Sequence, residues 1–250
     1  MAPSIDISEN KGVRYLHFGS EWVQGAMRIA RPFALELAYT REMLLPLLFS
    51  DAPPRHCLLV GLGAASQLKF LHRHFPDTRF TVLEINPGVQ VVARQFFKLP
   101  DSPRIDIIID DAATWLACNA PQAAFDLILL DGFNAAGRAG ALSSAAFYAG
   151  CRAALTATGV FSGNLLGDSR GFKANLRRIR QAFAGRNLHF PSVDNGNVVA
   201  LGVSGEALKL PLSTLRERAF ALKDKTGLDL RPTLTRLQLT IALPDGGLRI

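Results

Sequence analysis

The sequence has little cysteine, no long apolar run and no low-complexity tract. Its cysteines, Cys57, Cys118 and Cys151, are odd in number and far apart. They form neither a metal-ligand spacing nor a disulfide framework, which excludes a zinc ribbon and a disulfide-stapled secreted domain. A reducing cytoplasm is the expected location. No stretch reaches the roughly 18 consecutive apolar residues of a membrane helix, so no membrane partner is expected. The opening residues, MAPSIDISENKG, lack a basic segment followed by an apolar one, and no signal peptide is expected. His56, His72, His74 and His189 are scattered; His72 and His74 lie two apart on a predicted helix and do not share a face. No metal site is expected.

Charged residues make up 20% and hydrophobic residues 48% of the 250 positions, which excludes long intrinsic disorder. Basic residues nevertheless outnumber acidic ones, 28 to 21, for a net charge of +7. Such a surplus suits an anionic partner. The densest basic segment is 170–186. At helical spacing Phe172, Leu176, Ile179 and Phe183 line one face, and Arg170, Lys173, Arg177, Arg178 and Arg180 spread over the remainder. Aromatic residues interleaved for base stacking are missing from it. It reads as the solvated face of a surface helix, and nucleic acid is not the expected partner.

The first fifty residues differ from the rest. Segments 11–18 and 21–29, separated by Gly19-Ser20, predict a small antiparallel ribbon. Residues 32–49 carry apolar side chains at helical spacing, with Pro32 suited to a first turn and Pro46 to a kink or end. From residue 55 short apolar runs recur at 57–60, 80–83, 105–109, 126–130 and 159–166. Segments of helical period lie between them at 66–74, 89–97, 112–118 and 144–155. Strand and helix in alternation predict an α/β fold with a mostly parallel sheet and helices on both faces. A helix at 170–184, two late strands near 188–193 and 197–203, an amphipathic segment at 212–223 and a weakly structured end complete the expectation. The expected division is 1–50, ribbon and helix, and 51–250, nucleoside-binding domain.

In an open parallel sheet, ligands bind beyond the carboxyl ends of the strands. Four such ends carry polar or glycine residues. Gly61 and Gly63 follow the first strand and open a helix, where glycine allows a tight turn and close approach of backbone N–H groups to a ligand. A third glycine of a dinucleotide fingerprint would fall on Ser66, so a phosphate-bearing dinucleotide fits less well. Glu84 follows the second strand about 20 residues on, where an acid accepts the hydroxyl protons of a ribose. Asp111, before Ala112, suits either an adenine amino group or a helix N-cap. Asp131, after the fourth strand, lies where the reacting end of a nucleoside-linked ligand would be, or serves the Asp-Gly turn. Trp115 and Phe133 are candidates to flank an adenine, with core packing as the alternative for Trp115. The ordered set points to an adenosyl ligand of the S-adenosylmethionine type.

These residues resemble the spermidine/spermine synthase, or polyamine aminopropyltransferase, family over roughly 11–203. Residues 60–66 resemble its glycine-rich motif, 82–86 its ribose-binding motif, 110–112 its adenine-side motif and 129–134 its catalytic loop. Residues 20–24 with Met27 resemble the ribbon segment whose glutamine, here Gln24, contacts the nucleoside. Ala146-Phe147-Tyr148 resembles the segment after the catalytic loop, and 155–160 the helix end and turn before the fifth strand. The resemblance implies a Rossmann-like domain of the methyltransferase type behind an N-terminal β-ribbon. It implies decarboxylated S-adenosylmethionine as co-substrate, a small-molecule amine as acceptor and a homodimer. Two positions depart from the family. Asn134 stands where the catalytic loop has a second acid, and Ala64 where an acid binds the donor's amino group. An amide holds an amine but is no general base at neutral pH. Alanine removes a repulsion against the carboxylate of intact S-adenosylmethionine. A methyltransferase on the same scaffold, and a nucleoside-binding protein without transfer activity, are therefore the alternatives. Tyr39 and Glu42 are further candidates for substrate contacts.

Overall fold

The computed structural model describes residues 4–132, 140–194, 196–240 and 246–250. Three strands open it: β1 (Ile5–Asn10), β2 (Val13–Phe18) and β3 (Gly25–Arg28), antiparallel in that order. β1 extends the predicted ribbon toward the N-terminus. Its alternation packs Ile5 and Ile7 against a cluster of Leu16, Met27, Ala64 and Phe97. The turn into β2 is Lys11-Gly12, both at positive φ (49° and 75°), a two-residue geometry whose twist suits a hairpin. The second predicted ribbon segment is strand only over β3.

The predicted helix at 32–49 is much shorter. α1 covers Ala38–Glu42, and a 3-10 turn follows at Leu45–Leu48. Pro46 explains the end, because its ring would strike the carbonyl four residues back, that of Glu42. Side chains explain the late start. Arg41 Nη1 donates to the carbonyls of Leu35 and Glu36, both at 2.9 Å, and the Tyr39 N–H donates to Asp194 Oδ2 at 2.9 Å. The backbone groups that would extend the helix backward are thereby taken.

The main sheet contains β4 (His56–Val60), β5 (Arg79–Glu84), β6 (Ile105–Ile109), β7 (Phe125–Leu130), β8 (Leu155–Leu166), β9 (Asn187–Pro191) and β10 (Asn197–Val203). Among the described residues its order is β6-β5-β4-β7-β8-β10-β9, parallel except for β10. Helices α2 (Ser66–His74), α3 (Pro87–Phe96), α4 (Ala112–Cys118), α5 (Ala145–Ala154) and α6 (Phe172–Ala182) connect the strands. Neighbouring strand residues divide between two cores, as the pleat requires. Leu59 and Val82 pack with Leu68 of α2 and Val89 of α3 on one face; Leu58 and Leu83 pack with Leu116 of α4 and Phe147 of α5 on the other. The fold is therefore the expected α/β architecture: a Rossmann-like, mostly parallel sheet covered on both faces and preceded by a β-ribbon. β4 lies between β5 and β7, so the strand order reverses there and opens a crevice at the carboxyl ends.

β8 starts four residues earlier than the predicted fifth strand, and 155–160 is strand rather than helix end and turn. Phe125 pairs with Leu155 and Leu127 with Val160, so a bulge absorbs the extra residues. At the C-terminal end α7 (Leu212–Thr226) extends the amphipathic segment to a stop at Gly227, which takes φ 78°. The end predicted to be weakly structured holds α8 (Arg231–Thr240) and a strand, β12 (Gly247–Arg249), which pairs with β11 (Lys209–Pro211) just before α7. Leu230, Leu234 and Leu237 are buried in the larger core and form a helical stripe. Among the described residues no helix is long and apolar enough to cross a membrane.

Candidate functional site

The turn between β4 and α2 is built around Gly61, at φ +95°. A Cβ there would stand 2.3 Å from the carbonyl oxygen of Asp131, so only glycine fits. Gly61 N donates to Leu83 O and Asp131 N donates to Val60 O, both at 2.9 Å. The ends of β4, β5 and β7 are thus joined where the sheet order reverses.

Glu84, at the end of β5, braces the same turn. Its Oε2 accepts from Leu62 N at 3.0 Å and its Oε1 from Asn86 N at 2.9 Å. Burial raises its pKa, while backbone N–H donors, Leu62 first, oppose the rise. The N–H groups of Ile85 and Gly63 also face this carboxylate, so a ribose hydroxyl would share it with the backbone of the turn. Ile85 beside it is 69% exposed, and Ile109, at the end of β6, is 40% exposed. Sequence reading missed these two apolar surfaces, because Ile85 follows a strand acid and Ile109 ends an apolar run, so both look like strand core.

Asp110 N donates to Glu84 O at 3.1 Å, which sets the next loop against β5. Asp111 caps α4, its Oδ1 accepting from Thr114 N at 2.8 Å, and Ala112 opens the helix, buried. Of the two roles open for Asp111, the cap is the one seen. Trp115 is buried and packs near Phe125, ring centroids 6.5 Å apart, as a core residue.

Asp131 is the hub of the reaction side. Tyr39 Oη donates to its Oδ2 at 3.0 Å, and Asn164 Nδ2, from β8, donates to its Oδ1 at 3.0 Å. Burial pushes the Asp131 carboxyl up to about 6, although the hydrogen bonds from Asn164 and Tyr39 pull the other way. Burial and then the neighbouring Asp131 carboxylate hold the Tyr39 hydroxyl well above its usual range. Asn164 Oδ1 is buried with no partner among the described residues. Asn164 escaped sequence reading because it sits inside an apolar strand.

Gln24, Tyr39, Gly61, Gly63, Ala64 and Asp131 line one cavity of about 40 Å³, the room of roughly three waters. Gln24 O lies 3.4 Å from where a Cβ on Gly63 would stand, so the ribbon closes over the glycine turn. Ala64 is buried beneath β3; a Cβ on Gly25 would come within 2.7 Å of its own. Position 64 is therefore a packing position as well as a cavity wall. Asn134 and Phe133 lie outside the described residues.

Nearby ionisable groups are mostly committed to the fold. Lys69 of α2 is buried, donates to Phe97 O at 2.7 Å, and is lowered to about 7 by burial. Glu42 is buried and paired with Arg236 of α8. On the basic helix α6, Ile179 is buried and Arg178 donates to Ser143 O at 2.8 Å, which ties α6 to the segment before α5. Among the described residues no group of three His, Cys, Asp or Glu is placed to hold a metal ion.

The model of the spermine/spermidine synthase domain matches residues 36–183, more than half of the chain and the stretch from α1 to α6. The chain is 34% identical over 237 residues to a polyamine aminopropyltransferase of Neisseria meningitidis, covering 94% of this chain and 89% of that protein. It is 33% identical over 249 residues to a polyamine aminopropyltransferase of Chromobacterium violaceum, covering 99% and 94%. In three dimensions it superposes on a probable spermidine synthase from Corynebacterium glutamicum with a TM-score of 0.72, at 20% identity over 90% of this chain and 91% of the other. A family model that spans more than half of the chain, and relatives above 30% identity over nearly its whole length, make the chain a member of the spermine/spermidine synthase family.

Proposed function

We propose that this protein transfers an aminopropyl group from decarboxylated S-adenosylmethionine to a small-molecule amine. Membership of the family supports the reaction class. The observation that carries the chemistry is the half-buried Asp131 carboxylate, held by Tyr39 and Asn164 beside the glycine turn. Its pKa near 6 leaves it ionised at neutral pH yet basic enough to receive a proton.

In this reading the ribose hydroxyls donate to Glu84, with Gly61, Gly63 and Gln24 against the donor's backbone-facing side. Asp111 and Ala112 lie toward the adenine, and the exposed Ile85 supplies apolar surface for the purine. The acceptor amine stands at Asp131, where Asn164 Oδ1, without a partner among the described residues, offers a second acceptor for its N–H groups. The amine nitrogen's lone pair forms a bond to the propyl carbon attached to sulfur. That carbon–sulfur bond breaks, its electrons neutralise the sulfonium, and methylthioadenosine leaves. The proton lost by the amine passes to Asp131 and then to water. Asn134, three residues after Asp131 in the sequence, is assigned to hold the amine by hydrogen bonds. Holding the amine in line with the carbon supplies most of the acceleration.

Incubation with a donor labelled in the propyl chain and a panel of amines tests the proposal. Label should appear in an amine product with one equivalent of methylthioadenosine. Transfer of a methyl label from intact S-adenosylmethionine, or nucleoside binding without turnover of any amine, would overturn it.

A further inference from the structure

Tyr39 is held at both ends by carboxylates from distant parts of the chain. Its hydroxyl donates to Asp131, and its backbone N–H donates to Asp194 Oδ2 at 2.9 Å. Asp194 stands in the loop between β9 and β10, 155 residues away in sequence. The N-cap residue of α1 is Leu37, which has no side-chain acceptor for the orphan N–H groups of the first turn. Asp194 supplies that acceptor from outside the helix. Its own loop is set by Ser192, whose Oγ accepts from Asp194 N at 3.2 Å.

We propose that Asp194 is a positioning residue for the reaction: it fixes the start of α1, and through Tyr39 the hydrogen bond on Asp131. The inference rests on the proposed role of Asp131. α1 has only five residues, too short to hold its own orientation. Leu35 O, four residues before Tyr39, is bonded by Arg41 Nη1 instead. Without Asp194 the N–H has no acceptor, the first turn loosens, and the Tyr39 hydroxyl loses its aim. Asp131 then keeps Asn164 as its donor but loses Tyr39, so its ionised form is less stabilised. The groups facing the Tyr39–Asp131 pair are Asn164 from β8 and Asp194 itself.

Asp194→Ala and Asp194→Asn separate this from a merely structural or purely electrostatic role. Asparagine keeps an oxygen acceptor and drops the charge. Expected is a fall of kcat by about tenfold in Asp194→Ala, as for loss of one positioning hydrogen bond, with KM for both substrates within about twofold. Asp194→Asn should stay within about threefold of wild type. In a Tyr39→Phe background Asp194→Ala should add less than about twofold, because both act on one bond. Equal losses in the alanine and asparagine variants, or full additivity with Tyr39→Phe, would overturn the inference. A substrate-free readout keeps it apart from the proposed activity: carbon NMR of labelled aspartate carboxyls. The Asp131 titration should move upward in Asp194→Ala and stay in place in Asp194→Asn. Movement downward in both variants would mean that Asp194 acts only as a nearby charge, and would overturn it as well.

Discussion

Asp131→Asn should lower kcat for aminopropyl transfer by roughly 10²–10⁴-fold, the usual contribution of a placed general base. Asparagine fills the same volume, so Tyr39 and Asn164 keep a partner and the fold should persist. The variant should even be more stable than wild type above pH 6. Asp131 is raised from its ordinary value near 3.8 to about 6 by burial, so the folded state holds its proton more tightly than the unfolded chain. A raised folded pKa gives stability that is complete below about pH 4 and is lost as pH climbs through 6. Full burial would make this about 3 kcal/mol; the part of the residue that still meets water reduces it to about 1–2 kcal/mol. Denaturant melts of both proteins at pH 4 and pH 8 read that difference directly. In wild type, kcat should fall about tenfold for each pH unit below 6 as Asp131 takes up its proton. An Asp131→Asn protein with near wild-type kcat, or with no gain in stability at pH 8, would remove Asp131 from this role.

Gly61→Ala should be among the most damaging single-methyl changes in the protein. Two effects add. The residue sits at φ +95°, where an L side chain is strained, and its Cβ would lie 2.3 Å from Asp131 O and 3.0 Å from Asp131 C. Those are backbone atoms and cannot swing aside. Strain and overpacking together cost about 2–5 kcal/mol. For a chain of this size that lowers Tm by roughly 5–15 °C. The movement needed to relieve the clash displaces Asp131 itself, so kcat should drop at least about 100-fold at temperatures where the variant is folded. Gly227→Ala is the control. It shares the positive φ, at 78°, but its Cβ would meet nothing within 4 Å. Its cost should be strain alone, about 1 kcal/mol, with activity intact.

The sheet and its four polar strand ends were legible because both follow from local rules. Buried parallel strands are short apolar runs, and the acid that ends each run stands out against them. Glu84, Asp111 and Asp131 are visible in this way, and Gly61 by its place between strand and helix. What stayed hidden depends on partners far along the chain. α1 is short because Arg41, Asp194 and Pro46 take or block its backbone groups, and helical spacing between 32 and 49 carries no trace of that. Asn164 and Asp194 reach Asp131 and Tyr39 only once β8 and β10 lie where the fold puts them. The C-terminal helix α8 is spaced as a leucine stripe, but its three threonines weaken its intrinsic preference, and packing against the larger core decides the outcome. The basic surplus behaves similarly. Arg41, Arg178 and Arg236 are tied to carbonyls or to Glu42, so part of the +7 is structural rather than displayed to a partner.

The most direct measurement is a crystal structure of the protein with methylthioadenosine bound. The expected result is a ribose at the end of β5 with one hydroxyl within about 3.2 Å of a Glu84 oxygen, and the thioether directed toward Asp131. A nucleoside bound elsewhere, or a Glu84 carboxylate that keeps only its bonds to Leu62 and Asn86, would contradict the assignment of the strand ends.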